Sequence, residues 1–232
     1  MTIARFQFYG LLGEFLPRPR RDVSFESSCA RAASLKNAIE ALGVPHTEVG
    51  PVTVNGARAT LQRMVRDSDL IEVRPRQRET PDLFLADAHL GGLARFLRML
   101  GYDTLFHGRL QDGEIRSLAG EERRIVLTRD RELLKCREIA RGCYVRALKP
   151  EAQLREVAGR YDLAPASRPF TLCLQCNLPL EPIEKSQVAT RLPQQVAQLH
   201  ERFVRCTRCD RVYWPGSHYN RMRAALARAL DR

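Results

Sequence analysis

Two aspartates follow short apolar runs near the middle of the chain. Asp87 comes directly after Leu83–Ala86, and Asp130 is the second residue after Ile125–Thr128. Runs this short and this evenly apolar predict buried parallel strands, whose carboxyl ends meet at one edge of a sheet. Carboxylates gathered at such an edge need a cation between them, and oxygen ligands suit Mg²⁺ or Mn²⁺. The pattern therefore favours metal-assisted hydrolysis of phosphodiesters.

Neighbouring side chains fit the same chemistry. Arg95 and Arg129 lie close in sequence to the two aspartates, where a guanidinium group would pair with a carboxylate or hold a substrate phosphate. The hydroxyl of Thr128 could orient a carboxylate or a metal-bound water. A structural alternative stays open, because an aspartate after a strand can also cap the next helix, and the same holds for Asp112.

Four cysteines form two pairs, Cys173-x-x-Cys176 and Cys206-x-x-Cys209. Each pair can present two thiolates to one tetrahedral Zn²⁺, so we predict a structural zinc ribbon with a long insertion between the pairs. His218 is an alternative ligand, although four cysteines already complete the coordination shell. An odd total of seven cysteines favours metal binding in a reducing compartment over a disulfide framework.

The elements that must position the aspartates can be predicted from periodicity. Between the two apolar runs, leucines and Ala94 recur at helical spacing, with Arg98 off that stripe and Gly101 as a stop. Further strands are predicted at 104–106 and 143–148, and further helices from Asp112, at 132–139 and at 151–158. Strands alternating with helices predict an α/β domain with a parallel sheet.

Residues 1–74 show a different order of elements. Two strands, the second at 23–25, precede a helix at 34–42 that Ser34 caps and Gly43 ends, and strands at 51–55 and 70–73 follow. This order predicts a β-grasp domain. A basic, proline-bracketed segment at 75–81 is typical of a linker.

The charge of the chain is +11, and 34 of its 38 basic residues are arginine. Residues 171–232 carry a charge of +5, whereas the longer segments 1–80 and 81–170 carry +3 each. This concentration of positive charge favours contact with a nucleic acid. A composition bias toward arginine is the alternative explanation. No apolar run is long enough to cross a membrane and the first residues are not a signal peptide, so we expect a cytoplasmic protein.

Aromatic and basic residues alternate after the second cysteine pair. Tyr213 and Trp214 are followed by Tyr219, Arg221 and Arg223. Aromatic rings there would stack on unpaired bases while arginines contact phosphates. Alternatively, Tyr213 and Trp214 cover the zinc site, since a small ribbon has little core of its own. The two interpretations are equally compatible with the sequence.

Residues 82–219 resemble the ribonuclease family named after the carboxyl-terminal domain of the Mut-seven exonuclease, a PIN-like fold with a zinc ribbon. The segments that carry the resemblance are 86–87, 90–91, 93–98, 100–104, 127–130, the cysteine pairs and 213–218. The resemblance implies an RNA substrate and a catalytic Mg²⁺ or Mn²⁺ held by Asp87, Asp112 and Asp130. Glu122 is our choice for a fourth acid. The implied domains are a PIN-like nuclease at 82–165 and a zinc ribbon with a carboxyl-terminal helix at 166–232.

The first 74 residues resemble a ubiquitin-like domain related to small sulfur carriers, most specifically at 42–49. Those carriers act through a terminal Gly-Gly, whereas here Val73 is followed by an arginine-rich segment. The domain is therefore interpreted as a docking module for RNA or for a protein partner.

Two hypotheses follow from the sequence. The first is a metal-dependent ribonuclease, and the second is a non-catalytic RNA-binding or adaptor protein with a vestigial acidic site. A haloacid-dehalogenase-type phosphatase is disfavoured, because His89 stands where that chemistry needs a second aspartate. The absence of a Gly-x-Gly-x-x-Gly turn excludes a dinucleotide-binding site.

Overall fold

The computed structural model describes residues 1–163 and 167–230. These residues form two compact units, each assembled from two separate stretches of chain. The first unit contains Met1–Arg78 and Gln111–Tyr144, and the second contains Glu79–Leu110 and the chain from Val145 onward. The predicted domain boundary at 165/166 lies outside the described residues.

The first unit opens with a mixed five-stranded sheet and one helix. Its elements are β1 (Thr2–Phe8), β2 (Phe25–Cys29), α1 (Leu35–Ala41), β3 (Val49–Val54), β4 (Ala57–Ala59) and β5 (Leu70–Pro75). The strand order is β2-β1-β5-β3-β4, with β1 parallel to β5 and antiparallel to β2. Alternate residues of β1 are buried, which places Phe6 and Phe8 in the core under α1. This is the predicted β-grasp fold.

Local signals fix the limits of α1. The Ser34 hydroxyl accepts a hydrogen bond from the Asn37 N–H at 3.2 Å, and Gly43 has a φ of +99° just past the helix end. Both predictions are confirmed. The second strand was predicted too early, at 23–25. It begins at Phe25 because pairing with β1 requires the register from Phe25↔Phe6 to Cys29↔Thr2.

The middle of the chain alternates strands and helices, as predicted. The elements are β6 (Leu83–Ala86), α2 (Gly91–Met99), β7 (Asp103–Phe106), α3 (Asp112–Glu122), β8 (Ile125–Thr128), β9 (Gly142–Tyr144) and α4 (Pro150–Arg160). In the second unit β6 is parallel to β7, and in the first unit β8 is parallel to β9. Each of the two predicted strands therefore runs parallel to a neighbour and ends before an aspartate.

The helix predicted at 132–139 is wrong. The structure has only a 3₁₀ turn at Leu133–Lys135, which ends where Cys136 becomes extended. Cys136 has a φ of −62° and a ψ of 138°, outside the helical region, so the chain leaves the turn there although Leu133 and Leu134 are buried. The strand predicted at 143–148 is also shorter and ends at Tyr144.

The carboxyl end of α2 explains the role of Gly101. Its φ is +88°, its N–H donates to the Arg98 carbonyl at 3.0 Å, and the Tyr102 N–H donates to the Leu97 carbonyl at 2.9 Å. This pair of bonds is a Schellman motif, which favours glycine at the left-handed position. The stop that the sequence predicts at Gly101 is confirmed.

The carboxyl-terminal part of the second unit is a small antiparallel sheet followed by a helix. Its elements are β10 (Glu181–Ile183), α5 (Lys185–Val188), α6 (Gln194–Leu199), β11 (Phe203–Arg205), β12 (Val212–Tyr213) and α7 (Ser217–Leu230). The strand order is β10-β11-β12. Within the described ranges, no helix combines the length and the apolar character that crossing a membrane requires.

Candidate functional site

The four cysteines of the two Cys-x-x-Cys pairs meet at one point in the second unit. Their Sγ atoms all lie within 4.8 Å of one another, and those of Cys173 and Cys209 are 3.7 Å apart. Sulfurs bound to a tetrahedral Zn²⁺ at about 2.3 Å are separated by about 3.8 Å, so the cluster fits this ion. Among residues 1–163 and 167–230, no other group of three or more His, Cys, Asp or Glu side chains meets the same distance test.

The two cysteine pairs adopt matching turns. Asn177 and Asp210 follow the pairs with φ values of +62° and +56°, and their N–H groups donate to the carbonyls of Cys173 and Cys206 at 2.9 Å. Asparagine and aspartate tolerate this left-handed conformation better than most residues. The turns therefore bring together four sulfurs that could fill all four positions of a tetrahedral ion, the ligand set typical of structural rather than catalytic zinc sites.

The electrostatics of Cys173 favour the thiolate that a metal needs. Burial alone would raise the pKa of Cys173, but hydrogen bonds from the Tyr213 hydroxyl at 3.2 Å and from backbone N–H groups lower it to about 7. Tyr213 thus covers the cysteine cluster, as one of the two sequence interpretations predicts. His218 is exposed on α7 and belongs to no metal-ligand group in the described part of the chain.

Arg98 connects the first cysteine turn to α2 and β7. This side chain is only 3% exposed, and its Nε donates to the Thr104 carbonyl at 2.9 Å while Nη1 donates to the carbonyls of Leu174 and Gln175, both at 3.0 Å. Burial lowers the pKa of Arg98, and the negative charges of Cys173 and other nearby groups oppose that shift. A buried cation beside a four-thiolate site offsets part of its negative charge.

Asn177 makes a second connection of the same kind. Its Oδ1 accepts from the Thr104 N–H at 2.9 Å, and its Nδ2 donates to Asp103 Oδ1 at 2.6 Å. The sequence analysis missed Asn177 and Arg98, because their partners lie more than 70 residues away along the chain. The one local signal is that Asn177 directly follows Cys176.

Asp87 lies where the sequence predicts it, directly after β6. Its Oδ1 accepts a hydrogen bond from the Ala88 N–H at 2.5 Å, and its carbonyl accepts from the Leu90 N–H at 2.8 Å. The residue therefore caps the 3₁₀ turn Ala88–Leu90 that leads into α2. Arg95 is exposed on α2.

Asp130 occupies the corresponding position after β8. Its Oδ1 accepts from the Glu132 N–H at 2.7 Å and from the Leu133 N–H at 3.3 Å, so it caps the following 3₁₀ turn. Its own N–H donates to Thr128 Oγ1 at 2.9 Å, and Thr128 is fully buried. Thr128 therefore fixes the backbone that carries Asp130. Arg129, between the two, is exposed.

The two remaining acids lie on α3. Asp112 is its first residue but not its cap: Gln111 is the cap, and Glu114 accepts from the Gln111 N–H at 2.9 Å in a capping box. Interpreting Asp112 as an N-cap is therefore wrong. Glu122 is the last residue of α3 and accepts from Arg124 Nε at 2.5 Å. Asp112, Glu122 and Asp130 belong to the first unit and Asp87 to the second.

Two family models match the chain. Residues 82–226 match the model described as the Mut7-C RNAse domain, and residues 1–80 match the model described as Mut7-C ubiquitin. No curated protein matches the chain.

Two solved structures are similar to part of the chain. They are small archaeal modifier protein 1 of H. volcanii, at 16% identity, and a putative molybdopterin converting factor, subunit 1, from Pyrococcus furiosus, at 12%. Each match covers 33% of this chain and 100% of the other, with a TM-score of 0.27, which is too low to support an argument. The β-grasp assignment therefore rests on the family model and the observed strand order. Because the RNAse model spans more than half of the sequence, the chain belongs to the Mut7-C RNAse domain family and carries a Mut7-C ubiquitin-like domain at residues 1–80.

Proposed function

We propose that the protein is a metal-dependent ribonuclease that hydrolyses RNA phosphodiester bonds. The observation that carries the proposal is the placement of Asp87 and Asp130 after β6 and β8, within a domain of a ribonuclease family. Each strand is parallel to its neighbour, and sites in α/β folds are built beyond the carboxyl ends of such strands.

The acidic residues supply the donor type that a hard cation takes. In this proposal Asp87 and Asp130 hold Mg²⁺ or Mn²⁺, and Asp112 and Glu122 complete the acidic set. When bound, such an ion would polarise a phosphate and lower the pKa of a coordinated water, which favours attack of that water on the phosphorus.

The other predicted residues act on position and charge. Thr128 fixes the backbone of Asp130 through its 2.9 Å hydrogen bond. The exposed guanidinium groups of Arg95 and Arg129 bind substrate phosphates, to which their planar fork is matched. The zinc ribbon positions RNA, and the ubiquitin-like domain is a docking module. We further propose a cytoplasmic location, since four thiolates at a metal site need a reducing compartment.

The test is cleavage of a labelled single-stranded RNA with Mn²⁺, with Mg²⁺ and with chelator. We expect Asp87→Asn to lower the cleavage rate by at least about 100-fold, because metal catalysis contributes several kcal/mol. Asparagine is itself a good N-cap, so this variant should keep the turn after β6 while losing the charge. Asp82→Asn is the matched control, because Asp82 is exposed at the opposite end of the same strand.

A specific observation favours the alternative function as well. Both aspartates already cap the turns that follow them, so their presence has a structural explanation. If wild type and Asp87→Asn bind RNA equally and neither cleaves it with any metal, the protein is an RNA-binding or adaptor module instead.

A further inference from the structure

Two cavities of the second unit lie side by side and together form a surface with two parts. The first, of about 760 Å³, lies between α2, the first cysteine turn and α7, and we call it the basic groove. The second, of about 660 Å³, lies between the ribbon sheet, α6 and α7, and we call it the aromatic pocket. Both are lined by Leu174, Tyr213, His218 and Met222, so the two cavities adjoin.

The basic groove carries positive charge from three elements. Arg95 lies on α2, Arg211 directly precedes β12, and Arg221 lies on α7. All three are exposed. No aspartate or glutamate is among the described residues that line either cavity. The cations are all arginines, whose fork binds phosphate in a bidentate manner. The groove is therefore complementary to a chain of phosphates.

The aromatic pocket is mainly apolar and lined by rings. The Phe170 and Tyr219 rings, both on the pocket wall, pack at a tilt of 44° with centroids 4.1 Å apart, and Trp214 packs at 6.4 Å from the buried Phe203. Trp214 is half-buried, which leaves part of its ring on the pocket wall. Tyr213, whose hydroxyl contacts Cys173, lines this pocket as well, so the two sequence interpretations do not exclude each other.

We propose that this surface binds single-stranded RNA, with phosphates along the basic groove and an unpaired base in the aromatic pocket. Single-strand sites combine a basic track with aromatic platforms in this way, and stacking contributes about 1–3 kcal/mol per base. A duplex keeps its bases stacked internally and cannot fill the pocket. An acidic peptide would satisfy the arginines but has no flat group for the rings. That the polyanion is RNA rests on the proposed function.

The test measures RNA binding separately from cleavage. Fluorescence anisotropy is recorded on the zinc-loaded, full-length Asp87→Asn protein without added Mg²⁺ or Mn²⁺. The probes are a short single-stranded RNA, its duplex, a matched chain with abasic positions, and a polyglutamate peptide. The variants, each built on that protein, are Arg95→Gln/Arg221→Gln and Trp214→Leu.

We expect Arg95→Gln/Arg221→Gln to weaken single-strand binding about tenfold and to make the slope of log K against log salt less negative by about 1.4. The matched control is Arg155→Gln/Arg208→Gln, which removes the same charge from exposed arginines outside both cavities. Trp214→Leu should weaken binding of the RNA but not of the abasic chain. Zinc content and the far-ultraviolet spectrum verify that each variant is folded.

Equal losses in the paired-arginine variant and its control would overturn the proposal, as would tighter binding of the duplex or of polyglutamate. Equal effects of Trp214→Leu on the RNA and the abasic chain would contradict the part of the proposal that places a base in the aromatic pocket. Failure of the proposed function is a different result, namely a wild-type protein that does not cleave RNA with any metal. Binding at this surface would then stand without catalysis.

Discussion

At the scale of single residues, Asp69 is the best-anchored carboxylate of the ubiquitin-like domain. It is 2% exposed, and Arg63 Nη1 and Nη2 donate to its two oxygens at 2.7 and 3.1 Å. The Arg66 N–H and Asn55 Nδ2 add bonds at 2.8 and 3.1 Å. The hydrogen bond from Arg63, with further help from Arg66 and Asn55, lowers the pKa of Asp69 below its ordinary value of 3.8 despite burial.

This lowered pKa gives a stability prediction. The unfolded state binds a proton at higher pH than the folded state, so the contribution of Asp69 is complete above its ordinary pKa and disappears as pH falls through the lower, folded-state value. We expect Asp69→Asn to lower the free energy of unfolding by about 2 kcal/mol near neutral pH, and by much less well below pH 3.8. Urea denaturation of both proteins across this range measures the difference.

Glu26→Gln is the control for that series. Glu26 accepts from Arg5 at 2.8 Å, but both side chains are about 60% exposed, and such pairs contribute little. The urea midpoint of Glu26→Gln should match that of the wild type at every pH. A loss from Asp69→Asn that stays constant as the pH falls would contradict the electrostatic explanation.

At the scale of elements, the surroundings of two glycines predict opposite effects on stability for the same substitution by alanine. Gly101 has a φ of +88°, and an added Cβ would meet the Arg168 carbonyl oxygen, so Gly101→Ala should destabilise the protein by more than about 1 kcal/mol. Gly159 lies within α4 with nothing within 4 Å of an added Cβ, so Gly159→Ala should stabilise it by about 0.5 kcal/mol. Thermal unfolding of both variants measures the signs. Shifts in the same direction would contradict this interpretation.

The elements that the sequence can predict are those that depend on local signals. The strands before Asp87 and Asp130, the cap at Ser34 and the stop at Gly101 depend on residues a few positions apart, and the structure contains them. The helix predicted at 132–139 fails because Asp130 caps a short turn there and the backbone becomes extended at Cys136.

The candidate sites divide in the same way. The four-cysteine cluster is predictable, because each Cys-x-x-Cys turn depends on local geometry and the two turns then need only to meet. The role of Arg98 is not, because it lies off the apolar stripe of α2 and is buried through carbonyls more than 70 residues away. The acidic set Asp87, Asp112, Glu122 and Asp130 stays a prediction, since their shared role depends on a cation rather than on chain-local contacts.

At the scale of the whole molecule, the ubiquitin-like region shares a compact unit with part of the RNAse domain. His46 bridges Glu40, at 2.7 Å, and the Ile139 carbonyl, at 3.0 Å. Glu48 is 7% exposed and accepts from the Tyr144 N–H at 2.6 Å. The family boundary at residue 80 therefore cuts through hydrogen-bonded contacts of one unit.

These contacts predict that residues 1–80 produced alone fold but are less stable than the same region in the full chain. Folding is expected because the apolar core of this region lies within residues 4–73, and among the described residues Tyr144 alone is added from outside. Stability should fall because Glu48 loses the Tyr144 N–H and His46 loses the Ile139 carbonyl, whereas the contact of His46 with Glu40 stays within the fragment. Hydrogen exchange of core amides in β1 and β5, measured in the fragment and in the full chain, gives the two opening free energies, which we expect to differ by about 1–3 kcal/mol.

Glu48→Gln distinguishes this explanation from a general effect of truncation. In the full chain, the variant weakens the charged bond to the Tyr144 N–H and should lower protection of the β1 and β5 amides. In the fragment that bond is already absent, so the same substitution should change protection little. Equal effects of Glu48→Gln in both proteins would show that Tyr144 is not the partner through which Glu48 stabilises the ubiquitin-like region, and the unit would then be held together by its apolar contacts instead.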